Sequence, residues 1–382
     1  MSKQYISTLT ALRGFAVFWS LFYYVDICTY NRDLGTIISR QSSGIISQGY
    51  LWVDFFFLLS GFFILHTHGD NFKDGIKAEK VRRFLWNRFS RIYPIHLLIL
   101  CVIMLSTDFF GSVFPWLIDD SWHTYFSYEA LPSRIFMLGS VNTYNSLSWN
   151  LPAWIVSAVW WTYVLSVFFL GFLGRQRLMS VAITSLLALA GLAALVHFHP
   201  HQSLDITWDF GFLRCLFEFI LGANIYYLYK HKFGYRFFSK DLSFLLSIVM
   251  VALVFHFKIY DLFILPVFGL LILSAAHNVG KVREIFEISI VRAIGQITFS
   301  ISMVNSLSFF FFWFVFPHWK AFLHIEDFTP IEFFSLHSAY LVLVGLFAIP
   351  LSIHVELRFK KWLRRATIQQ EKMVETYENS GY

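Results

Sequence analysis

Arg88 and Arg91 stand three residues apart in RFLWNRFSRIYP, residues 83–94, so a helix there would carry both guanidiniums on one face. Arginine offers forked, charge-assisted hydrogen bonds that match phosphate oxygens. The spacing therefore suits a phosphate-bearing ligand, although plain anchoring of a membrane helix by basic residues accounts for it too. Four more ionisable residues interrupt long apolar runs: Arg13, Asp54, Arg214 and Glu218. Charge within hydrocarbon is costly, which makes each a functional candidate. Arg214 and Glu218 are four apart and read as a pair that neutralises itself on one helix face. Arg13 and Asp54 have no such neighbour, so they either pair with each other or leave Arg13 to hold an anionic ligand. His66 and His68 flank Thr67 at the end of an apolar run, as phosphate contacts, as a base, or as interface imidazoles. His197, His199 and His201 form an H-F-H-P-H cluster. No carboxylate or cysteine is evident to complete a metal site, so no metal is expected.

The elements that must position these residues follow from composition. Of 382 residues, 57% are hydrophobic, 20% aromatic and 14% charged. Soluble domains carry roughly 25% charged residues, so a soluble architecture is excluded and a polytopic, all-α integral membrane protein remains. A span needs about 20 mostly apolar residues. Ten stretches qualify: 7–29, 48–68, 85–106, 148–170, 178–198, 207–229, 241–257, 259–277, 294–316 and 334–355. The division between the seventh and eighth is the weakest, marked only by His256, Lys258 and Asp261. The stretch 107–147 is acidic at Asp119 and Asp120, and its later apolar piece is too short to span.

Cytoplasmic loops retain Lys and Arg. With residues 69–84 inside, 23 of the 30 Lys and Arg fall on the inner side and five on the outer, Arg32, Arg40, Arg134, Lys258 and Lys320. Arg13 and Arg214 lie within spans. That bias predicts ten spans with both termini cytoplasmic. The N-terminus lacks a basic region followed by a short apolar core and cleavage site, so the first apolar segment is expected to be retained. Residues 1–356 read as one membrane domain and 357–382 as a short basic cytoplasmic tail. The three cysteines, Cys28, Cys101 and Cys215, sit in apolar stretches and suggest no disulfide framework.

Several segments together resemble one family. LTALRGFAVFW (Leu9 to Trp19), GYLWVDFFFLLSGFFIL (Gly49 to Leu65) and FSRIYPIHLL (Phe89 to Leu98) resemble the opening motifs of the acyltransferase family 3 membrane proteins. WNLPAWIVSAVWWTYVL (Trp149 to Leu165), RCLFEFILG (Arg214 to Gly222), IGQITFSISMVNS (Ile294 to Ser306) and HVELRFKKWLR (His354 to Arg364) resemble later motifs, in order. The resemblance implies a ten-helix fold in a bacterial cytoplasmic (inner) membrane. It implies transfer of an acyl group, often acetyl, from cytoplasmic acyl-CoA to a hydroxyl of a cell-envelope glycan or lipid-linked sugar. Its partners would be the bilayer and that acceptor, with no nucleic acid. On this likeness Arg13 and Asp54 surround the reaction centre, and Arg88, Arg91 and Tyr93 engage the donor.

At three positions the chain departs from the family pattern. Ten residues intervene between Arg13 and Tyr24, where the resemblance leads to a His base. Val159 stands where a Glu is expected, and Asn305 where a His is expected. A phenol with a pKa near 10 is a poor general base beside an imidazole near 6.5. Asp26, toward the end of the first span, could supply a carboxylate, although a solvated helix-end Asp is the plainer reading. A second function class follows: a non-catalytic descendant that binds a ligand or membrane partner. A transporter is disfavoured, because no inverted repeat or interrupted helix is visible.

Overall fold

The computed structural model describes residues 5–73, 75–322, 324 and 328–358, and all regular secondary structure among them is helical. Ten long helices form the frame: α1 (Ser7–Asn31), α2 (Trp52–His68), α3 (Ala78–Val113), α4 (Ala153–Leu173), α5 (Leu178–Phe198), α6 (Gly211–Lys230), α7 (Asp241–His256), α8 (Ile264–His277), α9 (Thr298–Phe310) and α10 (Pro330–Leu351). With their flanking turns, α1–α6, α9 and α10 are eight helices long and apolar enough to cross a membrane. The other two, α7 and α8, are shorter. The ten apolar stretches are thus all helical, while a spanning length is reached in eight. The tail expected at 357–382 lies almost entirely outside the described residues.

The largest boundary difference is in α3, which starts at Ala78 rather than near residue 85 and runs for 36 residues. Arg88 and Arg91 therefore sit inside a continuous helix instead of at its mouth. Pro94 lies within it and removes the N–H that would serve the Ser90 carbonyl. The ambiguous stretch 107–147 finishes α3 and then folds into short helices at Asp120–Tyr125 and Leu131–Ile135. Asp119 caps the first of these through Ser121 and Trp122 N–H. Arg134 pins the second segment by donating to Ser148 Oγ at 3.0 Å and to the Ser146 carbonyl at 2.6 Å. Trp149 then enters α4 with φ of 57°, a left-handed conformation that is unusual for a bulky residue. Its indole N–H donates to the Ser127 carbonyl at 2.7 Å.

Burial sorts the helices into centre and periphery. Seventy-two per cent of the apolar part of α2 is buried, against 22% for α5 and 17% for α10. Leu186 and Leu187 on α5 and Leu346 and Phe347 on α10 are exposed apolar side chains of the kind a bilayer covers. At the centre α2 and α6 touch backbone to backbone. A methyl group at Gly61 would overlap the Phe219 carbonyl, and one at Gly222 would overlap that of Leu58. Small residues permit this approach between membrane helices. Gly295, in the short helix Ser289–Gln296, packs on the Thr10 carbonyl of α1 in the same way.

Contacts between connections divide the bundle into two ends. At one end Ser7 donates to Glu287, Tyr229 and Tyr235 pack on His277, and Val279 N–H donates to the Ser239 carbonyl. Gly69, Lys73, Gly174, Gln176, Tyr227 and Lys230 help line one small pocket there. At the other end Arg32 pairs with Asp119, Asn142 N–H donates to the Trp208 carbonyl, and Tyr50 donates to Asp261. The first group of connections holds the segments rich in Lys and Arg, and is called the basic end below.

Candidate functional site

Near the basic end three arginines from two helices converge. The Arg88 guanidinium lies 5.7 Å from the Phe84 ring and 5.8 Å from the Tyr163 ring of α4. Its Nη2 is 3.4 Å from both ring nitrogens of His68. Arg88, Arg91 and Arg13 all fall within electrostatic reach of the Tyr163 hydroxyl. Arg13 reaches the group from α1 and donates to Thr298 Oγ1 at 3.2 Å, an approach allowed by the glycine contact between α1 and Gly295. The Arg88 Nε is buried with no hydrogen-bond partner among the described residues. A buried guanidinium donor left open costs free energy until an acceptor arrives, and an anion with several oxygens would fill it. Tyr93 stacks on Phe89 with ring centroids 4.6 Å apart.

A second cluster occupies the opposite end. Asp54 and Arg214 lie in the first turns of α2 and α6, two neighbouring helices that start at the same end. Arg214 Nε donates to Asp54 Oδ1 at 2.8 Å, and Nη2 to Oδ2 at 2.7 Å. Its Nη1 donates to the Ile206 carbonyl at 3.2 Å, and the Trp154 ring lies 5.7 Å from the guanidinium. Glu218 Oε1 is 3.6 Å from Arg214 Nε, and its carboxyl accepts no hydrogen bond. Arg214, Asp54 and Glu218 are all fully buried. A buried trio of one guanidinium and two carboxyls reaches neutrality only by holding a proton.

Tyr24 belongs to this end, beside Trp154 and within electrostatic reach of Asp205 and Arg214. Nine residues of α4 separate Trp154 from Tyr163, so the two clusters stand about 14 Å apart along that helix. Arg13 and Tyr24, eleven residues apart on α1, bridge the same interval.

The structure regroups the sequence-level candidates. Asp54 spends both oxygens on Arg214, so the expected choice between an Arg13–Asp54 pair and a separate anion role for Arg13 falls against the pair. Arg214 and Glu218 share a face as expected, yet the two-pronged contact goes to the other helix. Asp26 is buried rather than solvated, held 2.9 Å from Arg40. Val159 packs against a buried cluster of Val53, Phe57, Trp154, Ala158 and Cys215, and Asn305 accepts from the Tyr340 hydroxyl at 3.5 Å. His199 pairs with Asp209 at 2.6 Å. Among the described residues no three His, Cys, Asp or Glu side chains are arranged to hold a metal.

Tyr163 and Asp205 escape a reading by motif. Tyr163 sits four residues beyond Val159 on one face of α4, which is a usable signal. Asp205 looks like an ordinary polar loop residue, and only the fold places it. No curated protein and no solved structure matches the chain. The sequence model of the acyltransferase domain family, however, matches residues 6–355, nearly its whole length. With its set of membrane-length apolar helices, the chain is thereby an integral membrane protein that belongs to the acyltransferase family 3.

Proposed function

We propose that the protein is a membrane-bound O-acyltransferase that takes an acyl group, acetyl in the first instance, from acyl-CoA at the basic end. The acceptor is a hydroxyl of a cell-envelope glycan or lipid-linked sugar. The observation that carries this reading is the open, buried Nε of Arg88 within a cluster formed with Arg13, Arg91 and Tyr163. Phosphates of the donor would be held by Arg88 and Arg91, with Arg13 deeper on the same side. The thioester arm would then run along α4 toward Tyr24 and the Asp54–Arg214 pair. The arrangement is taken to span a bacterial inner membrane ten times with both termini cytoplasmic, including α7 and α8. Support comes from the concentration of Lys and Arg on one group of connections.

The test is equilibrium binding of acetyl-CoA to the purified full-length protein. A charge-assisted hydrogen bond contributes about 1.5–3 kcal/mol. Arg88→Ala is therefore expected to weaken binding by about 10- to 150-fold, and Arg88→Lys by less, since it keeps charge without the fork. Equal affinity in wild type and Arg88→Ala would remove the donor site from this cluster. A second reading, a family member that binds a donor without transferring it, is favoured by Val159 and Asn305. The first is packed among apolar side chains and the second is a hydrogen-bonded amide, so neither can exchange a proton with a substrate. Acetyl-CoA binding without transfer to any envelope glycolipid would select that reading.

A further inference from the structure

Acyl transfer to a hydroxyl needs a group that takes the hydroxyl proton, and Tyr24, Val159 and Asn305 are poor or unable proton acceptors near neutral pH. The fold brings a carboxyl to Tyr24 from another part of the chain. Asp205 lies in the connection between α5 and α6, and that connection is clamped on both sides of it. Leu204 N–H donates to Asp261 Oδ2 at 2.7 Å, and the Ile206 carbonyl accepts from Arg214 Nη1 at 3.2 Å. The Asp205 N–H donates to Ser203 Oγ at 3.2 Å. Leu204 and Ile206 are fully buried. The backbone that carries the carboxyl is thus fixed by two buried ionisable groups, one of which also holds Asp54.

Titratable groups from several elements lie within electrostatic reach of this carboxyl. Tyr23 and Tyr24 of α1 and Tyr50 of the turn before α2 are all within its electrostatic reach. Asp54 comes from α2, Arg214 from α6, Asp261 from the turn before α8, and His201 from the same connection. We propose that Asp205 is the proton acceptor of the acyl transfer, working beside Tyr24 at the end of the bundle opposite the arginine cluster. This rests on the acyltransferase reading above.

The step balances without a further reactant. The Asp205 carboxylate takes the acceptor hydroxyl proton as that oxygen attacks the thioester carbonyl. That attack forms the ester C–O bond, and the tetrahedral intermediate then collapses by re-forming the carbonyl and breaking the C–S bond. The departing thiolate then recovers the proton from the Asp205 carboxylic acid, which restores the carboxylate. Burial holds the Asp205 carboxyl above the ordinary range, against the opposing pull of Arg214 and with a further push from Asp261. A carboxyl displaced toward the operating pH is a better base than an ordinary one. Because the carboxylate is the working form, the rate rises with pH through that displaced value and falls in acid.

The experiment uses the full-length protein in proteoliposomes, acetyl-CoA as donor and an envelope glycolipid extract as acceptor. Thiol release, label transfer and acetyl-CoA affinity are read separately. Asp205→Asn is expected to lower transfer by about 10²–10⁴-fold with donor affinity unchanged, the usual loss for a removed base. Asp205→Glu is expected to restore part of the rate and to move the acid limb of the pH profile. Wild-type transfer with an Asp205→Asn rate and pH profile like wild type overturns the role of Asp205 alone. A wild type that binds acetyl-CoA and transfers nothing overturns the acyltransferase reading itself. Should Asp205→Asn lose donor binding and so fail to fold, Asp205→Glu decides. An acid limb that does not move then overturns the proposal.

Discussion

Asp54→Ala is expected to destabilise the folded protein by about 3–5 kcal/mol, the cost of leaving a buried partner charge uncompensated. The measurement is the denaturation midpoint of the purified protein in detergent. Arg214 would lose both short hydrogen bonds at once and would keep only the Ile206 carbonyl and Glu218 at 3.6 Å. The same geometry sets an order among variants. Glu218→Gln is expected to cost much less than Asp54→Asn, because the Glu218 carboxyl accepts no hydrogen bond and the site already needs a proton for neutrality. Equal losses would mean that Glu218, on the same helix as Arg214, is the carboxylate that balances it. Substituting Arg214 and Asp54 together by apolar residues of similar volume should recover most of the stability lost by either alone. Acyl transfer should not return with it, since Ile206 and the connection that carries Asp205 would lose their anchor on Arg214.

Gly222→Val is expected to be among the most damaging apolar substitutions in the bundle. A side chain there would meet the Leu58 carbonyl and its Cα, which are backbone atoms that cannot turn aside. Overpacking in a filled core costs about 1–3 kcal/mol and sometimes more. At a backbone contact the upper part of that range or beyond is expected, seen as a lower midpoint and less folded protein. Gly345→Ala on α10 is the control. Nothing lies within 4 Å of a methyl group there. Removing a helix-interior glycine should leave stability unchanged or raise it by about 0.5–1 kcal/mol. If both variants behaved alike, the close approach of α2 and α6 would not be what holds the first turns of those helices together. The Asp54–Arg214 bond would then need another explanation.

Much of the frame is legible in the residues themselves. Apolar runs of near-spanning length must be helical in a bilayer, because every backbone N–H and C=O has to be satisfied within its own segment. That is why the expected stretch 178–198 coincides with α5, and why 241–257 and 259–277 recover α7 and α8 to within a few residues. Boundaries fail where charged residues lengthen a helix beyond its apolar part, as at the start of α3. Arg88 and Arg91 were legible as a pair on one helix face because helical spacing is a local property.

Partnership between helices is not local, and there the sequence is silent. Two residues 160 apart, Asp54 and Arg214, meet because Gly61 and Gly222 let α2 and α6 close to backbone contact. Tyr163 joins Arg88, Arg91 and Arg13 because α1, α3 and α4 share one end of the bundle. Asp205 is set near the Asp54–Arg214 pair because Asp261 and Arg214 hold the residues on either side of it. Composition, spacing and motif alone thus lead to a helical membrane protein, its family, and Lys and Arg concentrated on one group of connections. The tertiary structure decided which charge answers which, since that depends on how closely helices far apart in the chain are able to pack.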